Sequence, residues 1–448
     1  MPGSINRGAV RWLRGQLPEL VASGVITSEN ARAIELHYES TDRRSSLGFI
    51  LLAIVGSALI GAGIILLIAH NWDQLNRATR SVIAFLPLIT AQILCLFVLA
   101  RRNESQAWRE GVAIFDVAAV GTAIALISQT YQIQGSFADF MLVWLLLSIP
   151  VVYLLRTSVG AVAYLIGTVA WVFSNSSWSM RYANPNLFWF LWLLVVPYFL
   201  GCLRRDRTSR ETAILSICLL LSATIALGFT ADATQANIGA IAFAGLFAAT
   251  YLAGMKLIDP IARRLHPVAL VAGLGIGVTA IILSFEDTWH MSSGSSAAVN
   301  GTTRVIGIAI ELSFPAVALL VLGWDLLRRN RIVFSMATAI MPLVAGGAWI
   351  IANLAPAAER GGDSSYSFTA SLVFDVYALV LGIELLSRGV RANSLARANF
   401  GLLVIAALAI ARFFDSDLGF ATRGLGFIVV GAAFLIANVI FFRRRAAQ

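Results

Sequence analysis

Lysine is all but missing from this chain: of its 33 basic residues only Lys256 is a lysine, and the rest are arginine. Charge of either sign is scarce, at 13% of residues against the ~25% of an ordinary soluble domain. The three cysteines, Cys95, Cys202 and Cys218, form no CxxC spacing and no disulfide framework, which leaves them as small apolar packing residues. The four histidines, His37, His70, His266 and His290, are scattered, so no metal site and no cofactor is expected. No strand–loop–helix context surrounds any glycine cluster, which excludes a phosphate-cradling loop. Long polar stretches are also absent, and no second soluble domain is expected.

What is present is apolar sequence. Hydrophobic residues make up 58% of the 448 positions, with a mean hydropathy of +0.80. A soluble fold of this length has no interior large enough to hide that surface. A bilayer-spanning helix needs roughly 20 mostly apolar residues. Fourteen segments qualify, near 47–69, 80–100, 110–131, 139–155, 159–174, 186–202, 211–229, 237–255, 267–285, 304–323, 332–354, 366–387, 394–411 and 423–442. The fourth and fifth are short, so the span count lies between 13 and 15. Backbone amides in hydrocarbon must be satisfied within their own segment, so the spans are helices. They are too long and too evenly apolar for barrel strands. The expected fold class is all-α, a polytopic transmembrane bundle.

The formal net charge of +9 invites a nucleic-acid reading, but the distribution argues against it. The arginines sit in short clusters between apolar runs and alternate by side. With the N-terminus inside and fourteen spans, 26 basic residues fall in cytoplasmic segments and seven outside: Arg77, Arg80, Arg181, Arg304, Arg360, Arg412 and Arg423. Short basic loops are retained in the cytoplasm, so both termini are expected there. Residues 1–44 are polar and helical in pattern rather than a short apolar core before a cleavage site.

Those first 44 residues read as a helical hairpin, followed by a transmembrane domain over 45–448. Val10, Leu13, Leu17 and Leu20 recur at helical spacing, Gly24 closes the first helix, and Thr27 or Ser28 caps the second. A partner protein is one use for this hairpin; packing or assembly is the other. Glycines at 56, 61, 63, 273, 277, 424, 426 and 431 mark expected close helix contacts. Phe115-Asp116-Val117 recurs as Phe374-Asp375-Val376, a short match that raises the question of an internal repeat.

Two groups of residues carry potential chemistry. Asp116, Glu311, Asp375 and Glu384 lie inside predicted spans, where an ionised group costs roughly 2.5–3.5 kcal/mol at the midplane. Each is a candidate for proton or ion coupling, or a structural group bonded to a neighbouring helix. The second group lies on the outer face, in three polar segments. The first holds Asn71, Trp72, Asp73, Arg77 and Arg80; the second Gln129, Tyr131, Gln134, Asp139 and Trp144; the third Arg412, Asp415, Asp417 and Arg423. Arginine on the disfavoured side calls for a reason. Its rigid fork matches phosphate or carboxylate, and the neighbouring aspartates are the alternative partners.

These segments also carry a family resemblance. GVITSENARAIELHY (24–38), GAGIILLIAHNWDQL (61–75), QTYQIQGSFADFMLVWLLLSIP (129–150) and NFGLLVIAALAIARFFDSDLGFATRGLGFIVVGAAFLIAN (399–438) resemble the bacterial predicted-membrane-protein family called domain of unknown function 2157 (DUF2157). The resemblance implies a bacterial inner-membrane protein and supplies no substrate, cofactor or catalytic role.

Three functional classes remain. The first is a transporter or flippase-like protein for an anionic or lipid-linked solute, gripped by Arg77, Arg80, Arg412 and Arg423, with Glu311 or Asp375 coupling a proton. The second is a transferase acting on an envelope lipid, with Asp73, Asp139 or Asp415 as base; the absence of a His-based pair counts against it. The third is a scaffold or sensor that holds a partner through residues 1–44.

Overall fold

The computed structural model describes residues 7–39, 72–176, 185–207, 209–256, 266–289, 301–327, 335–354, 365–392 and 394–415, with four isolated positions between 428 and 435. Regular structure among them is entirely helical. The expected spans at 47–69 and 423–442 lie outside the described residues, as do the glycines at 56, 61, 63, 424 and 426. The chain divides into two compact units, residues 1–80 and 81–448.

In the first unit, α1 (Arg7–Ala22) and α2 (Ser28–Glu39) pack against each other. Leu17 is buried, with Leu13, Leu20, Ala31 and Ile34 partly covered, as the helical spacing requires. Gly24 adopts φ +74°, a left-handed conformation that ends α1 at little cost only for glycine. Thr27, not Ser28, is the cap: its Oγ1 accepts from the Asn30 amide at 3.2 Å.

In the second unit most of α3 (Arg77–Phe97) is followed by α4 (Gln106–Tyr131), α5 (Phe137–Leu154) and α6 (Ser158–Ser176). Then come α7 (Leu187–Leu193) and α8 (Val196–Arg205), then α9 (Arg210–Thr234) and α10 (Gly239–Met255). The series ends with α11 (Pro267–Leu283), α12 (Gly301–Leu327), α13 (Met336–Asn353), α14 (Ser365–Arg391) and α15 (Leu395–Asp415). Among the described residues nine helical stretches have the length and composition to cross a membrane, and three shorter apolar helices accompany them. Together these twelve coincide with the expected spans from 80–100 to 394–411. One differs in form. The segment 186–202 is broken at Leu194–Val195, because Pro197 lacks the N–H that a continuous helix would use there.

The helix starts follow from side chains that replace missing acceptors. Ser136 and Asp139 form a capping box on α5. Ser209 accepts from the Thr212 amide at the start of α9, at 3.1 Å. Helix α10 lies at the centre and packs on α9, α11, α12 and α13. It is apolar all round, which suits a helix surrounded by others. Its small residues admit backbones at contact distance: a Cβ built on Gly245 would fall 2.2 Å from the Pro315 nitrogen on α12. The α14–α15 hairpin is equally close, with Gly389 against Ala398 and Gly401 against Leu386. Of the expected glycines that are described, Gly277 would place a Cβ 3.3 Å from Val404 on α15, whereas Gly273 has nothing nearer than 3.9 Å.

The two Phe-Asp-Val triads are used differently. Phe374 is fully buried between Trp289 and Tyr377, with ring centroids 5.8 Å and 5.7 Å away. Phe115 is 41% exposed. Matching residues with opposite environments give no structural support to a repeat.

His266 caps α11, where its Nδ1 accepts from the Val268 amide at 3.3 Å. It is buried, and burial pushes its pKa below the usual 6.5, with the Arg207 backbone only partly offsetting this. Below about pH 6.5 the unfolded chain therefore binds more protons than the folded one, and stability falls as pH drops. The melting temperature in detergent is expected to decrease between about pH 7 and pH 5. His266→Asn, which preserves an N-cap acceptor, is expected to flatten that dependence.

Candidate functional site

The carboxylates within the apolar helices occupy distinct settings. Asp116 on α4 is 2% exposed and accepts from Gln92 Nε2 on α3 at 2.8 Å. Asp375 on α14 accepts from Arg412 Nε on α15 at 2.9 Å. Glu384, also on α14, reaches the start of α13. It accepts from Ser335 Oγ at 2.9 Å, from the Met336 amide at 3.0 Å and from the Ala337 amide at 2.8 Å. It also pairs with Arg388 Nε at 2.7 Å. Glu384 is thus a cap supplied from a neighbouring helix of the same chain, and it satisfies amides that α13 itself leaves open.

Glu311 stands apart. It lies on α12, 1% exposed, and its Oε1 accepts from Thr234 Oγ1 at 2.5 Å. Its Oε2 is buried and has no hydrogen-bond partner among the described residues. Pro315 sits four residues further on, so the Glu311 main-chain carbonyl lacks its usual helical donor. A half-satisfied buried carboxylate is costly as an anion and is relieved by taking up a proton or a cation. The site is walled by Thr234 and by Gly307, whose Cβ would fall 2.4 Å from Thr234 Cγ2.

The residues expected at the outer face divide as follows. Trp72 is buried in a 3-10 turn, and the Arg80 guanidinium lies 5.6 Å from its ring centroid. Arg80 Nε also donates to the Leu75 carbonyl at 3.0 Å. Arg77 is exposed at the start of α3 and is engaged by other groups. Tyr131 pairs its hydroxyl with Ser81 Oγ at 3.1 Å, while Gln129 is exposed. Asp139 is exposed and spends its carboxylate on the Ser136 hydroxyl and amide, at 2.7 Å and 3.0 Å. Arg412 donates to Asp375 and to the Ser284 carbonyl, and lies 5.7 Å from the Phe285 ring centroid. Arg412 and Asp375, expected in separate roles, therefore form one pair. Asn71, Asp417, Arg423 and the side chains of Asp73 and Asp415 lie outside the described residues.

Sequence reading passed over Glu110. It accepts from Thr157 Oγ1, from the Ser158 amide at 3.0 Å and from the Val159 amide at 2.9 Å. It caps α6 as Glu384 caps α13. The only signal in the sequence is a Thr-Ser pair before an apolar run, and nothing local names an acid 47 residues upstream as its partner. A second omission is the Arg388–Arg397 turn. With Tyr251, Leu270, Leu274 and Phe400 it borders a cavity of about 1230 Å³. No group of three or more metal-ligating side chains occurs among the described residues.

Apolar helices of spanning length, packed through glycine and carrying buried carboxylates, define a polytopic helical membrane protein embedded in a lipid bilayer. Over residues 18–160 the chain matches the family described as predicted membrane protein, DUF2157. The match takes in the segments at 24–38, 61–75 and 129–150, begins inside α1, and ends before the segment at 399–438. No curated protein and no solved structure matches the chain.

Proposed function

We propose that the protein is a transporter of an anionic or lipid-linked solute in a bacterial inner membrane, with both termini cytoplasmic and Glu311 as its coupling carboxylate. The observation that carries this reading is Glu311 itself: 1% exposed, inside a helix of spanning length, with one oxygen that has no partner among the described residues. A purely structural acid is bonded on both oxygens, as Glu384 is. Membrane proteins keep a costly ionisable group where it serves an ion or proton path. The broken α7–α8 segment supports the same class, since interrupted spans accompany transport sites. The arginine distribution supports the orientation.

The test is proton flux in proteoliposomes loaded with a pH-sensitive dye. Glu311→Gln is isosteric and removes the titration. It is expected to lower flux by at least about tenfold while the melting temperature stays within a few degrees of wild type. Wild-type flux in the glutamine variant would exclude Glu311 as the coupling group. The orientation is tested separately, by labelling single cysteines placed at Asn71 and Asp415 from outside intact cells; labelling at only one of them rejects it.

A further inference from the structure

We propose that the cavity at the α14–α15 turn is a binding site for a phosphate-headed amphiphile such as an anionic phospholipid. Its volume, about 1230 Å³, exceeds the ~300–1,000 Å³ usual for small-molecule sites and has room for a headgroup with the first part of its chains. Arg388, Arg391 and Arg397 converge on it, and Glu384 is the one acid in its lining among the described residues. Glu384 is already spent on Ser335, Met336, Ala337 and Arg388. Arg391 and Arg397 have no ion-pair partner among the described residues, so two positive charges face the cavity uncompensated.

The backbone adds to this field. Ala396 and Arg397 line the cavity from the first turn of α15, where amides have no intrahelical acceptor and the helix dipole attracts an anion. The opposite wall is apolar. Leu270 and Leu274 on α11 lie 54% and 48% exposed, and Phe400 also lines the cavity. Cationic side chains joined to an apolar wall fit a ligand with a charged head and a hydrocarbon tail. Arginine rather than lysine favours phosphate, because the guanidinium fork engages two oxygens at once. A zwitterionic head carries its own ammonium and gains less from the same charges. The site requires binding alone, so it goes beyond the transport reading and does not depend on it.

The experiment uses the full-length protein in detergent and three probes: dihexanoyl phosphatidylglycerol, dihexanoyl phosphatidylcholine and inorganic phosphate. Binding is read by native mass spectrometry and by ligand-induced thermal shift. Wild type is expected to bind the phosphatidylglycerol at least about tenfold more tightly than either other probe. The double variant Arg391→Ala/Arg397→Ala is expected to lose at least about tenfold in that affinity. Leu274→Trp, which fills the apolar wall and leaves every arginine in place, is expected to do the same. Wild-type affinity in either variant overturns the proposal. So does equal binding of phosphatidylcholine, which would make the arginines irrelevant, or of inorganic phosphate, which would make the apolar wall irrelevant. Glu311→Gln is expected to bind the lipid as wild type does, so a failure of the transport reading and a failure of this site give different results.

Discussion

Replacing Gly245 with leucine is expected to abolish recovery of folded protein from detergent, and even Gly245→Ala is expected to cost at least about 3 kcal/mol. A Cβ there would stand 2.2 Å from the Pro315 nitrogen and 2.6 Å from its Cα. Both are backbone atoms of α12, so no rotamer change relieves the clash and the helices must separate. Helix propensity pulls the other way, since alanine in a helix interior is favoured over glycine by about 1 kcal/mol. Gly346 on α13 supplies the contrast, with nothing within 4 Å of its built Cβ. Gly346→Ala is expected to gain a few tenths to about 1 kcal/mol. Chemical unfolding in mixed micelles measures both. Equal stability of the two alanine variants would show that α10 and α12 do not meet at Gly245.

Arg412→Met is expected to destabilise the protein by on the order of 3 kcal/mol, because it removes the charged hydrogen bonds that Arg412 gives to Asp375 and to the Ser284 carbonyl. Asp375 lies 2.9 Å from Arg412 Nε, with the two side chains only 24% and 28% exposed. Arg412→Met/Asp375→Leu is expected to regain roughly half of the loss. Recovery is incomplete because the Ser284 carbonyl, which Arg412 also serves at the end of α11, stays without that donor. The same cycle separates two roles for this arginine. An arginine whose work is to hold a solute leaves the melting temperature unchanged when removed and lowers transport alone. An arginine that joins α15 to α14 and α11 lowers stability, and the aspartate change partly restores it.

The sites divide according to how far apart in the chain their members lie. Glu311 was legible as a single residue, because an acid inside an apolar run is unusual wherever the run folds. Its special character was not. That Thr234 satisfies one oxygen and nothing described satisfies the other depends on α9 lying beside α12. Glu384 looked the same as Glu311 in sequence and proved to be a helix cap. Glu110 sits near the polar end of its segment and attracted no notice, yet it performs the same task for α6. An acid's role in a bundle is set by the helix opposite, which pattern along one segment does not reveal.

Composition alone determined the solvent, the secondary structure and most span positions. Apolar runs near 20 residues must cross lipid, and in lipid a backbone must bond to itself, so each run becomes a helix whatever its neighbours do. The Thr27 cap and the turn at Gly24 were equally local. Only tertiary structure decided which helices touch, and with them the pairing of Arg412 with Asp375, the contact of Gly245 with Pro315 and the cavity between α10, α11, α14 and α15. Within a bilayer every helix is apolar on all sides, so hydrophobicity does not choose partners there. Shape and a few polar contacts do, and those arise only when residues far apart in the chain are brought face to face.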